Sequence, residues 1–181
     1  MIDLIFKAIQ QDLKTAITQK DHPFRYFALA TNDSNNIPHV RTVVLRDLDT
    51  NLHLYAYTDK RSKKITHLQQ NQKVSLLFLD RNRFIQLSIK ATAHLVTDPF
   101  TLKKIWEQIP DPSKKDYTTQ QTPGETLKDP TAIDYLETKH FFTALKFIPD
   151  EIEYLRLKRP NHIRVQFKLL KNEWKGVFIA P

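Results

Sequence analysis

A chain of 181 residues, 40% hydrophobic and 27% charged, is long enough for one domain with a sizeable core and is balanced like an ordinary soluble protein, with no apolar run near the roughly 20 residues that span a bilayer. It has no cysteine, which excludes disulfides and thiolate metal sites, and only two glycines, Gly124 and Gly176, too few to write the dinucleotide fingerprint or the P-loop. Lys and Arg number 28 against 20 Asp and Glu, a formal charge of +8, so the expected partner is anionic: a nucleic acid or a phosphorylated small molecule gripped by side chains.

The opening MIDLIFKAIQQDLK has neither the basic start nor the cleavage site of a secretory signal, which makes the cytoplasm the expected compartment. Ile5, Ile9, Leu13 and Ala16 recur at helical spacing and predict an amphipathic helix over 2–18. The period then falls to two. Strands are expected at 25–31, 39–47 and 52–58, with the turn formers of 33–38 joining the first two as a hairpin. A short helix over 62–70 follows, with the Ser62 hydroxyl as its cap. Strands at 73–79 and 84–96 come next, then a helix over 99–109 capped by Asp98. Four prolines and Gly124 make 110–130 a loop, and a short helix is expected near 131–138. The end is again β, at 141–148, 151–158, 162–170 and 173–180. Many strands, few helices and short links predict a mainly β (α+β) fold, an antiparallel barrel with helices over its ends.

Four groups of residues could carry chemistry. In Arg41-Thr42-Val43-Val44-Leu45-Arg46, Arg41 shares a strand face with Val43 and Leu45, an apolar setting that is costly for a guanidinium unless an anion such as phosphate pairs with it. Tyr57-Thr58-Asp59-Lys60-Arg61-Ser62-Lys63-Lys64 gathers four cations and several hydroxyls where a strand gives way to a helix. Lysines there oppose the helix dipole unless an anion binds. Gln86, in FIQLSIK, can both donate and accept hydrogen bonds. His162 and Arg164 share one strand face. Each of these, taken alone, also fits a solvated surface side chain. No HExxH or GxSxG pattern occurs, so neither a zinc site nor a serine nucleophile is expected.

Taken in order, PHVRTVVLRD, LYAYTDKRSKK, FIQLSIKATA, IEYLRLKRPNHIRVQF and the closing EWKGVFIAP resemble the pyridoxamine 5′-phosphate oxidase family over most of residues 20–181, and YTTQQTPGETL resembles a loop of a divergent FMN-binding branch. The resemblance implies an antiparallel split β-barrel with flanking helices, a homodimer, and flavin mononucleotide (FMN) at the subunit interface. It places Arg41, Thr42, Val43 and Val44 along the phosphate, ribityl chain and ring edge, with Tyr57 and Thr58 at the next strand end. Ser62, Lys63 and Lys64 would gather at the phosphate, Gln86 and Arg164 would touch the flavin, and Arg46 and His162 would meet the substrate. Lys63 stands where the family usually has arginine, and Arg46 where it commonly has lysine. Leu155 stands for a flavin-site tryptophan, Pro160 for a substrate-phosphate arginine, and Ser88 and Ala91 for an arginine and a glycine. The implied function is an FMN-dependent oxidoreductase acting on an unidentified small substrate, with no catalytic acid or base assignable. The alternatives are a non-catalytic FMN-binding or redox-sensing protein and a nucleic-acid-binding barrel.

Overall fold

The computed structural model describes residues 1–181. Helix α1 (Ile2–Thr18) turns Ile9, Leu13 and Ala16 into the core, as its periodicity requires. Strand β1 (Tyr26–Asn32) is joined to β2 (Pro38–Val44) by the expected hairpin, where Asp33 Oδ1 accepts the N–H groups of Asn35 and Ile37 and Asn36 takes φ 61°. The strand expected over 39–47 is interrupted. After Val44 the chain leaves β1: Leu45 N still donates to Arg25 O, but Arg46 N donates to Tyr55 O. The two-residue strand β3 (Asp47–Leu48) then lies on β4 (Leu54–Asp59). This crossing bridges the two edges of the sheet and closes the barrel.

The remaining strands are β5 (Lys73–Asp80), β6 (Ile85–Leu95), β7 (Phe142–Arg156), β8 (Ile163–Leu170) and β9 (Glu173–Phe178), all antiparallel, in the order β2-β1-β5-β6-β7-β4-β3 with β8 and β9 branching from β7. The pair expected at 141–148 and 151–158 is one 15-residue strand. Pro149 and Asp150 do not break it, because the ladder absorbs the extra residue as a register shift opposite Lys90 and Ala91. Along one edge β7 pairs with β6 from Leu145 to Arg156. Along the other it pairs first with β4, from Phe142 to Phe147, and then with β8, from Glu151 to Arg156. There the barrel splits.

Phe24, Phe27, Phe78 and Phe147 fill the barrel, with ring centroids 4.9–5.9 Å apart in three contacts. A smaller cluster of Ile109, Tyr117, Phe142 and Ala144 sits beneath helix α3 (Pro99–Gln108), whose start Asp98 caps by accepting from Thr101 N at 2.8 Å. The loop expected over 110–130 begins with a short helix, α4 (Asp111–Lys114), and a 3-10 turn (Lys115–Tyr117). No helix forms near 131–138. Gln120 N donates to Asp134 O and Leu136 N to Thr118 O, so that segment is held to the loop as a bridge. The half-buried Trp174 packs on the core, 5.8 Å from the Phe6 ring. No helix is long and apolar enough to cross a membrane.

Candidate anion-binding cleft

Where β2 crosses from β1 to β4, the chain leaves a cleft of about 220 Å³. Arg41, Thr42, Val43 and Val44 line one wall, Tyr57 and Thr58 at the end of β4 another, and Lys64 of helix α2 (Lys63–Gln70) the floor, with Arg46, Asp116, Tyr117 and Leu145 completing it. Eight of the thirteen residues singled out from sequence therefore meet in one place, and Ser62 adjoins them.

Arg41 Nη1 donates to Thr31 Oγ1 at 2.6 Å and to Leu29 O at 3.2 Å. Lys64 Nζ donates to Thr58 Oγ1 at 2.7 Å and to Ser62 Oγ at 3.1 Å, and the two hydroxyls lie 3.3 Å apart. The Ser62 side chain thus faces the lysine and does not cap α2, although it stands at the capping position. Neither Arg41 nor Lys64 forms a salt bridge. Burial, and then the Arg41 charge, pulls the Lys64 ammonium below its ordinary value, and burial lowers Arg41 as well. Two half-buried cations held by neutral groups, with Asp116 as the acidic residue of the lining, have the chemistry to attract an anion. Beside them, burial raises the Tyr57 and Tyr117 phenols, and the Arg46 guanidinium lies 5.7 Å from the Tyr57 ring centroid.

The basic turn divides its cations. Arg61 does not enter the cleft: it pairs with the buried Asp59 at 2.6 Å, donates to the carbonyl oxygens of Thr119, Gln120 and Gln121, and stacks 3.3 Å over Phe141. Lys63 is exposed, beside Gly124 of the loop. Tyr117 and Asp116 were not singled out individually from sequence; the tyrosine that opens YTTQQTPGETL was the available signal.

Gln86, Arg164 and His162 lie elsewhere. Gln86, Leu155 and Arg164 form one row across β6, β7 and β8. Leu145, in the cleft, and Leu155 are ten residues apart on β7, roughly 30 Å along an extended strand. Gln86 and Leu155 line a separate, largely apolar hollow with Leu79, Phe84 and Leu157. Arg164 pairs with Glu153 at 2.9 Å while its buried Nε has no hydrogen-bond partner. His162 is exposed and accepts from Lys158 N at 3.2 Å.

Fold and cleft together define a split β-barrel with a cationic cleft between its strands. The model of the pyridoxamine 5′-phosphate oxidase family matches residues 13–154, and the chain belongs to that family. A pyridoxine/pyridoxamine 5′-phosphate oxidase of Pelagibacter ubique (strain HTCC1062) is 34% identical over 71 residues, 39% of this chain and 34% of that one, so the match spans about a third of that relative's length. Two solved structures share the fold with TM-scores of 0.80. One is a pyridoxamine 5′-phosphate oxidase-related, FMN-binding protein of Nostoc punctiforme PCC 73102 (24% identity, 97% of this chain and 96% of that one). The other is PhzG of Burkholderia lata 383, in complex with tetrahydrophenazine-1-carboxylic acid (20% identity, 97% and 92%).

Proposed function

We propose that the chain binds FMN with its phosphate in the Arg41–Lys64 cleft and serves as an FMN-dependent oxidoreductase on a small molecule. The observation that carries this reading is the pairing of two half-buried cations, neither of which forms a salt bridge with a carboxylate, although Asp116 lines the same cleft. A phosphate supplies the missing charge, and the Thr58 and Ser62 hydroxyls, already turned to Lys64, supply further contacts. Arg41 and Lys64 would hold the phosphate with Lys63 at its solvent side, Thr42, Val43, Val44 and Tyr57 would border the rest of the cofactor, and Arg46 would face the substrate. FMN, when bound, would supply hydride or electron transfer, and the protein's part is to bind, orient and tune it.

The reading includes a homodimer. Gln86 and Arg164 are too far along β7 from the cleft to touch the same small molecule, so a second copy would bring its own pair to each cleft. His162 would then stand near the substrate. The loss of a basic group at Pro160 favours a second reading, flavin binding without turnover. Turnover of a reduced nicotinamide nucleotide, or of oxygen, separates the two.

The test is FMN titration by fluorescence quenching. Charge-assisted bonds to phosphate contribute roughly 1.5–3 kcal/mol, so Arg41→Ala should weaken binding at least tenfold. Unchanged affinity in that variant rejects the assignment.

A further inference from the structure

Behind the cleft, Arg41 is held through a chain of polar side chains drawn from three elements. Register places Arg41 opposite Leu29 and His39 opposite Thr31, so Arg41 and His39 share one face of β2. Over that face lies His67 of α2, which is 7% exposed. Its Nδ1 is 2.9 Å from Thr31 Oγ1, the oxygen that receives Arg41 Nη1, and its ring centroid is 4.7 Å from that of His39. His39 Nε2 lies 3.0 Å from Asp33 Oδ2.

The direction of these bonds follows from which groups can accept. A guanidinium has donors only, so Thr31 Oγ1 must accept from Arg41. Its own hydroxyl hydrogen, buried, needs an acceptor, and His67 Nδ1 is within reach. This assignment makes Nδ1 the bare nitrogen of a neutral ring that carries its proton on Nε2. The surroundings agree: burial, then the charges of His39, Arg41 and Lys63, hold His67 below the ordinary histidine value, against the opposing pull of Asp33. With Nη1 spent on Thr31 and Leu29, the Nε and Nη2 groups of Arg41 make no hydrogen bond with the protein, which leaves two donors for a bidentate grip on an anion.

We propose that His67 is a positioning residue for the anion site, fixing Arg41 through the Thr31 hydroxyl. The proposal rests on the cleft being the anion site. The experiment has two arms. In the first, FMN affinity is measured for His67→Leu, which removes the acceptor, and for His67→Asn, whose amide oxygen takes the place of Nδ1, each alone and with Arg41→Ala. The expected result is a loss of about tenfold in His67→Leu, the size of one charge-coupled hydrogen bond, with His67→Asn close to wild type and no further loss when His67→Leu is added to Arg41→Ala. Equal losses in the two His67 variants, or a full loss in the Arg41→Ala background, would overturn the proposal. If His67→Leu does not fold, Thr31→Val takes its place, removing the Arg41 acceptor together with the His67 link, and the second arm then decides the part played by His67. In the second arm, nitrogen NMR of the flavin-free protein near pH 7.5 reads the His67 ring. A neutral Nε2–H tautomer is expected, and a proton on Nδ1 would overturn the proposal. This arm decides the direction of the bond whether or not FMN binds, while a wild-type chain with no affinity for FMN would count against the cofactor assignment alone.

Discussion

Lys64 gives the cleft a pH dependence with a definite sign. Its folded value lies below the ordinary 10.5 of an unfolded lysine. Between those two values the unfolded chain holds more protons than the folded one, so the stability of the flavin-free protein rises with pH across that window. Anion affinity runs the other way, because the phosphate needs the charged ammonium. FMN binding is expected to weaken as pH rises toward the ordinary lysine value of 10.5, starting below it because the Lys64 value is lowered, and Lys64→Met should flatten the profile while lowering affinity. A wild-type profile that is flat over this range would remove Lys64 from the phosphate. At Pro160 the expectation concerns substrate. Proline offers neither a charged side chain nor an N–H, so nothing there can grip a substrate phosphate. Pyridoxamine 5′-phosphate and pyridoxine 5′-phosphate should be poor substrates, and a kcat/KM above about 10⁴ M⁻¹s⁻¹ for either would show that Arg46 or another group compensates. At this scale the sequence was a partial guide. The Arg41 stretch could be read because alternation fixes which side chains share a face. In Lys60-Arg61-Ser62-Lys63-Lys64 the types of residue were plain but their directions were not. Only the folded turn shows Arg61 turned to Asp59 and Lys64 to the cleft, and the Thr31–His67 link joins residues 36 apart in the chain.

Arg61 ties the end of β4 to the loop that brings Tyr117 over the cleft. Asp59 is 5% exposed at its side chain, so Arg61→Ala leaves a buried carboxylate without its cation and with only the residue-61 backbone N–H, at a cost of roughly 3–5 kcal/mol. The Gln120 and Leu136 amides, bonded across the loop, should then exchange with deuterium faster. Destabilisation without faster exchange there would mean that Arg61 supports Asp59 only. Gly176 on β9 marks a second tight contact. A β-carbon at that position would lie 2.5 Å from Ile2 Cγ2 and 2.6 Å from the buried Phe167 ring. Gly176→Ala should therefore cost roughly 1–3 kcal/mol, measured by chemical denaturation. The elements were legible wherever period decided them, as in α1, β5, β6 and the Asp98-capped α3. They were missed where tertiary pairing overrode local signals. Pro149-Asp150 looked like a break, yet the bulge opposite Lys90 and Ala91 carries β7 through it, and the stretch 131–138 pairs with the loop instead of coiling.

For the whole molecule the first expectation is assembly. Light scattering of the FMN-bound protein should give a mass near twice 21.3 kDa, and a monomer at every concentration would contradict the shared-cofactor reading. The position of β7 then has a genetic consequence. The cleft adjoins the half of that strand paired with β4, while Arg164 adjoins the half paired with β8, so on the proposed dimer each cofactor draws on two copies of the gene product. Two alleles, Arg41→Ala and Arg164→Ala, each ruin every site when expressed alone. Expressed together they form mixed dimers in which one site collects both lesions and the other collects none. Random pairing should restore roughly a quarter of the wild-type flavin content, a complementation that no chain acting alone could produce.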